Sequence, residues 1–135
     1  MVNKENRAWL ASRQSWACVH GKDREGWLSL MAEDVVIEDP IGKSPLDPVG
    51  KGHRGKEAVA KFWDTNIGPN AITIDVKQSF SGGDEVAHVM ALTTTFSHGA
   101  KVRVEGIFTY AVNADGLIKA IRGYWEMSEL VMLAR

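Results

Sequence analysis

Val35-Val36-Ile37-Glu38-Asp39-Pro40-Ile41-Gly42 is a short β-branched run that ends in two carboxylates and is stopped by a proline. Val and Ile favour a strand, and Pro has no N–H to give a ladder, so the acids fall at a strand end. Side chains alternate across a strand, which puts Val35, Ile37 and Asp39 on one face and Val36 and Glu38 on the other. Asp39 therefore points where two aliphatics point. An acid on an apolar face is either a turn cap, here for Pro40 and Gly42, or a group held for chemistry with its pKa raised by desolvation. The stretch alone leaves both readings open.

Upstream, the spacing of Trp9, Trp16 and His20, with Ser12 and Val19 near the same stripe, predicts a helix from about Asn3 to His20, ended by Gly21. Asp23 is the predicted cap of a short second helix reaching Ala32, with Trp27, Leu30 and Met31 as its buried stripe. Glu33-Asp34 then leads into the strand. Downstream, Gly42 to Gly55 is rich in Gly and Pro and reads as a long loop, its 43–54 portion a plain surface excursion in preference to a rim or lid of a site. Gly55 to Ile67 returns to helical period, with Val59, Phe62, Trp63 and Ile67 apolar, and Gly68-Pro69-Asn70 stops it.

Four β-rich runs follow: Ala71 to Phe80, Glu85 to His98, Lys101 to Val112 and Leu117 to Met127. Their separators, Gly82-Gly83-Asp84, His98-Gly99 and Asn113-Ala114-Asp115-Gly116, are turn chemistry, so neighbouring strands pair antiparallel. Helices first and strands after give an α+β fold with helices on one face of a sheet. Val102, Val104, Gly106, Phe108, Tyr110 and Val112 share a face. Leu117, Lys119, Ile121, Gly123 and Trp125 share another, opposite Ile118, Ala120, Arg122, Tyr124 and Glu126. Gly106 and Gly123, both mid-strand, predict bends or close backbone approach. A strongly bent sheet with helices across its open side encloses a pocket, here walled by Phe108, Tyr110, Trp125 and Trp16.

A chain of 135 residues, 44% hydrophobic and 24% charged, reads as one globular domain over residues 1–135. The net charge of −1 gives no reason to expect a nucleic acid or an anionic membrane. One cysteine, Cys18, fits a reducing compartment; the polar N-terminus is not a signal peptide, and a cytoplasmic protein is expected. There is no phosphate-cradling glycine loop, no serine elbow and no Cys or His cluster at metal spacing, so neither cofactor nor metal is expected. His20, His53, His88 and His98 lie far apart and read as exposed or hydrogen-bonded single residues.

Three stretches resemble one family. His20-Gly21-Lys22-Asp23 with Trp27 through Gly42 is similar to the front half of the bacterial ketosteroid isomerases, Gly55 through Phe62 to their third helix, and Asn113 through Trp125 to their final hairpin. These enzymes belong to the nuclear transport factor 2-like (SnoaL-like) superfamily. The resemblance implies a cone-shaped, strongly curved and mostly antiparallel sheet with three N-terminal helices enclosing a deep apolar cavity, commonly in a homodimer. It also implies that Asp39 is the general base, moving a proton on a 3-keto steroid or similar enone.

The family's oxyanion-stabilising tyrosine falls on Ser15, beside Trp16, and its protonated aspartic acid on Phe108, which has no proton to give. Ser15 and Trp16 are the expected oxyanion side, with the Tyr110 and Tyr124 phenols as further substitutes. Phe108, Tyr110, Trp125 and Phe62 are the expected substrate wall. Two alternatives stand beside the isomerase: a weakly catalytic or non-catalytic binder of steroids or small aromatics, and an epoxide-hydrolase-type chemistry needing an arginine near Asp39. Arg103 and Arg122 lie on the opposite face for that role. The outer face, with Ile107, Thr109, Ala120, Arg122 and Tyr124, is too apolar for solvent and predicts a homodimer.

Overall fold

The computed structural model describes residues 2–135. The opening strand, β1, runs Met31–Glu38 and begins earlier than predicted, since Met31 and Ala32 are strand rather than helix. Its alternation breaks once: Met31 and Ala32 are both buried and Glu33 and Asp34 both exposed before Val35 and Ile37 turn inward. The pairing explains this, for Met31 lies opposite Ile118 and Val36 opposite Ala120, so β1 carries extra residues that bulge outward.

Helix α1 spans Arg7–Gly21, capped by the Asn6 side chain, which accepts from the Ala8 and Trp9 amides. It starts later than predicted because this cap lies at Asn6. Its buried face is Ala8, Ala11, Ser12, Ser15 and Val19. Trp9 and Trp16 flank that face half-buried and His20 is exposed, so the predicted tryptophan stripe is not the one that packs. Small residues let the helix lie close to the sheet. Lys22, not Gly21, takes the left-handed closing position (φ 55°), with its own amide and that of Asp23 turned back onto the last carbonyls.

Helix α2 is Arg24–Ser29, capped by Asp23 and burying Trp27. Helix α3, Lys56–Phe62, runs into a wide π turn at Trp63–Ile67, closed by the Gly68 amide on the Trp63 carbonyl at 2.7 Å. The loop before α3 holds a strand that the sequence reading missed: β2, His53–Arg54, pairs antiparallel with β1 at Ile37 and Val36.

Strands β3 (Ala71–Gly82), β4 (Glu85–Thr95), β5 (Lys101–Val112) and β6 (Ile118–Tyr124) form an antiparallel meander. The sheet order is β2-β1-β6-β5-β4-β3, with β1 parallel to β6. β6 ends at Tyr124, short of the expected Met127; the chain then makes a 3₁₀ turn at Met127–Glu129 and returns as β7, Val131–Ala134, against Lys101–Arg103 of β5. That last strand has no turn dipeptide before it and was not anticipated.

The face assignment of β5 holds, with Val104, Phe108, Tyr110 and Val112 all buried. That of β6 needs one correction. Ile118 is fully buried rather than outward and Lys119 is exposed rather than inward, because Lys119 is an extra residue between the pairs Val112–Ile118 and Ala111–Ala120. The core lies between the helices and the inner sheet face, where Trp27, Met31, Val35, Val59, Trp63 and Ile118 join.

Candidate functional site

Asp39 follows the last residue of β1. The next turn is tied to the sheet by the Ile41 amide on the Gly123 carbonyl at 3.0 Å, and the Asp39 carboxyl is turned toward β6. There Trp125 Nε1 donates to Asp39 Oδ1 at 2.8 Å. The close approach depends on Gly123: a Cβ at that position would stand 2.7 Å from Asp39 Oδ1, 2.9 Å from Phe108 Cε2 and 3.1 Å from Trp125 Nε1. The mid-strand glycine read from the sequence is thus the space the carboxyl occupies.

Protein surrounds that carboxyl, although the residue keeps some open surface where it lines a hollow. Desolvation raises its pKa from the ordinary 3.8 to about 6, against the opposing pull of the Trp125 hydrogen bond. Such a group is ionised at neutral pH yet still basic enough to take a proton.

Two adjoining hollows meet at Asp39. The inner one, about 80 Å³, is lined by Ser15, Trp16, Phe62, Phe108 and Tyr110 among others. The outer one, about 420 Å³, is bordered by Trp125, Phe96, Met127 and Leu130, with Ser44, Pro45 and Leu46 of the long loop. Asp39, Asn66, Leu92 and Thr94 face both. The outer volume is within the ordinary range of small-molecule sites.

Hydrogen-bond bookkeeping orders the inner hollow. Ser15 Oγ donates to the Ser12 carbonyl at 2.8 Å, and Trp16 Nε1 donates to the Tyr110 hydroxyl at 2.9 Å. Both expected oxyanion-side groups thus already give their protons to the protein. Tyr110 is left as an acceptor from Trp16 that keeps its own proton. Burial pushes its pKa up to about 12, reinforced by the Asp39 charge and opposed by the Trp16 and Ser15 contacts, so it stays a neutral donor.

Behind it, His88 is fully buried. Ser12 Oγ donates to the Trp9 carbonyl at 2.8 Å, so it accepts from His88 Nε2–H at 3.0 Å, and Ser79 Oγ donates to Nδ1 at 2.7 Å. Desolvation holds this imidazole neutral, its pKa lowered to about 4. Its ring meets Trp16 edge-on at 4.6 Å and Tyr110 at 5.6 Å, bracing the pair.

The structure thus brings Asp39, Ser15, Trp16, Phe62, Phe108 and Tyr110 to the inner hollow and Trp125 to the outer one. Arg122 pairs with Glu38 at 3.1 Å and Arg103 donates to Thr93, and neither lines the hollows. Sequence reading missed Asn66 and Thr94; the usable signal was an amide on the apolar stripe of the third helix. Among the described residues, no helix is long and apolar enough to cross a membrane.

A family model described as SnoaL-like domain matches residues 12–121. None of the curated proteins compared with the chain matches it significantly. Among solved structures, a Delta 5-3-ketosteroid isomerase from Mycobacterium sp. is 46% identical, with a TM-score of 0.91 over 94% of this chain and 98% of that one. RV0760c from Mycobacterium tuberculosis, in complex with estradiol-17beta-hemisuccinate, is 50% identical, with a TM-score of 0.90 over 93% and 98%. A computationally designed 17-OHP binder is 45% identical, with a TM-score of 0.91 over 94% and 98%. With three helices laid on a curved, open mixed sheet, and a family match that spans most of that architecture, the chain belongs to the SnoaL-like, or nuclear transport factor 2-like, domain family and has ketosteroid isomerase-like proteins as structural neighbours.

Proposed function

We propose that this protein is a steroid delta-isomerase-like enzyme acting on a 3-keto steroid or similar enone. The observation that carries the reading is Asp39: a carboxyl with its pKa raised to about 6, held by Trp125 where the two hollows meet. The Asp39 carboxylate takes a proton from the carbon between ketone and double bond. The electron pair moves onto the carbonyl oxygen, and Asp39 returns the proton two carbons along, leaving the conjugated enone with no net redox change. Tyr110, which keeps its proton, donates it to the developing oxyanion, in the role that the resemblance gave to the residues at Ser15 and Phe108. The reacting ring enters the inner hollow and the remaining skeleton fills the outer one. That the neighbours include a steroid-bound protein and a steroid-binder design supports the ligand class.

The test is the ultraviolet absorbance of the conjugated product from a 3-keto-5-ene steroid. Asp39 must be ionised to act, so kcat/KM should rise as pH increases through about 6 and then level off. No turnover by micromolar protein over hours, or a rate flat from pH 5 to pH 8, would defeat the proposal. Bound steroid that quenches tryptophan fluorescence without turnover would instead establish the binder. The residue that favours this second reading is Phe108, aromatic where the resemblance implies a donor.

We also propose a homodimer through the outer sheet face. Ile107 and Tyr124, neighbours across β5 and β6, are 46% and 49% exposed, and Phe80 on β3 is 54% exposed. Light scattering at tens of micromolar should give twice the monomer mass. Tyr124→Glu, placing a charge in the contact, should shift the population toward monomer, and a monomeric wild type would refute the assignment.

A further inference from the structure

Asn66 stands where the helical period calls for an apolar residue. It is seven residues from Val59 and four from Phe62, on the face that buries both, together with Trp63 and Ile67. It borders the inner and the outer hollow at the level of Asp39, and Thr94 of β4 borders both as well. Neither side chain is hydrogen-bonded to another described residue. No fully buried side-chain polar atom among the described residues lacks a partner, so these two groups still reach the open space of the hollow. An amide facing a mostly apolar hollow loses free energy unless something in that hollow bonds to it.

The turn that carries Asn66 is fastened from several sides. The Gly68 amide closes the π turn on the Trp63 carbonyl, and Asn70 Nδ2 donates to the Asn66 carbonyl at 2.8 Å. Lys22 Nζ, at the end of α1, donates to the Ile67 carbonyl at 2.6 Å and also to the Asn70 carbonyl. Single-turn π segments recur at functional sites. Here one carries the Asn66 carboxamide on a backbone that is held before any ligand arrives, which lowers the ordering cost of binding.

We propose that Asn66 and Thr94 form a specificity site for a neutral hydroxyl group on the body of the ligand, away from the carbonyl handled by Asp39 and Tyr110. This rests on the isomerase or binder reading above. A hydroxyl donates to Asn66 Oδ1 and accepts from Asn66 Nδ2 or Thr94 Oγ1, using both halves of the amide. A carbonyl uses the donors alone, and a bare hydrocarbon leaves the amide unpaired. An anionic group is disfavoured because the Asp39 carboxylate lies at the same level. Sites built to hydrogen-bond a substrate hydroxyl reject the analogue that lacks it far more strongly than apolar pockets discriminate methylenes.

The experiment measures dissociation constants by quenching of tryptophan fluorescence. The probes are a 3-keto-4-ene steroid with no other oxygen, a panel of its monohydroxylated forms, one ring position each, and the matching ketones. At least one monohydroxylated form should bind wild type about tenfold more tightly than the parent, with its ketone between the two. Asn66→Leu, which keeps the branched heavy-atom skeleton without the polar atoms, should cut that advantage to roughly twofold while the affinity for the parent changes by less than about threefold. Thr94→Val should reduce the advantage in part, and carries the comparison if the Asn66 variant fails to fold. A parent that binds as tightly as every hydroxylated form, or an advantage untouched by both variants, overturns the proposal while leaving the isomerase reading intact. No binding of the parent or any panel member defeats the ligand class, and this proposal with it.

Discussion

Asp39→Asn is expected to lower kcat for isomerisation by about 10²–10⁴-fold, the usual worth of a positioned general base. The carboxamide keeps an oxygen to accept from Trp125 Nε1 and occupies the space left by Gly123, so ligand affinity should change little. The same substitution should make the fold more stable at neutral pH. Burial raises the Asp39 pKa above its unfolded value, so the native state favours the protonated acid, and that stabilisation is lost as pH rises through about 6. An uncharged amide avoids this loss. Urea unfolding at pH 8 should show a gain of up to about 3 kcal/mol, an upper bound because the carboxyl borders an open hollow, and the gain should shrink as pH falls through 6 toward 4. His88 has the opposite sign: its lowered pKa costs stability as pH falls below its ordinary 6.5, but it is common to both proteins and cancels in the comparison. An undiminished rate would remove Asp39 from the chemistry, and an unchanged stability at pH 8 would show that its charge is not desolvated. Stability rising while activity falls is the signature of a group held for function.

Tyr110→Phe is expected to reduce kcat by about 10²–10³-fold with KM nearly unchanged, since an oxyanion donor bonds the transition state more strongly than the ground-state ketone. The variant also leaves Trp16 Nε1 without its acceptor, at a cost of about 1–3 kcal/mol in unfolding free energy. Steady-state kinetics on folded protein separates the two effects. Ser15→Ala is the control: its hydroxyl proton already goes to the Ser12 carbonyl, so kcat should move by only a few-fold. A collapse of kcat in Ser15→Ala with Tyr110→Phe unaffected would return the donor role to the position that the family resemblance selects.

Features governed by neighbours in the chain were legible without coordinates. The run Val35 to Ile37 alternates and Pro40 stops it, so Asp39 at a strand end could be read from side-chain type and order. The turns at Gly83 and Asn113-Ala114-Asp115-Gly116 and the Asp23 cap were equally local, whereas the mid-strand Gly123 was visible only as a residue type and the carboxyl that requires it was not. The seventh strand was not legible, because Val131–Ala134 is held only by its pairing with the start of β5. Nor was the inward turn of Ile118, which follows from a bulge that only the pairing reveals. The chemistry of the site belongs to the same class. Trp125 is 86 residues from the carboxyl it holds, and Tyr110 is 94 residues from the indole that fixes which way its proton is given. The residue types at these positions are set by the sequence. A pKa of about 6 at Asp39, the neutral Nε2–H form of His88 and the proton kept by Tyr110 come instead from desolvation and from a finite supply of hydrogens shared among packed groups, and those exist only once the chain has folded.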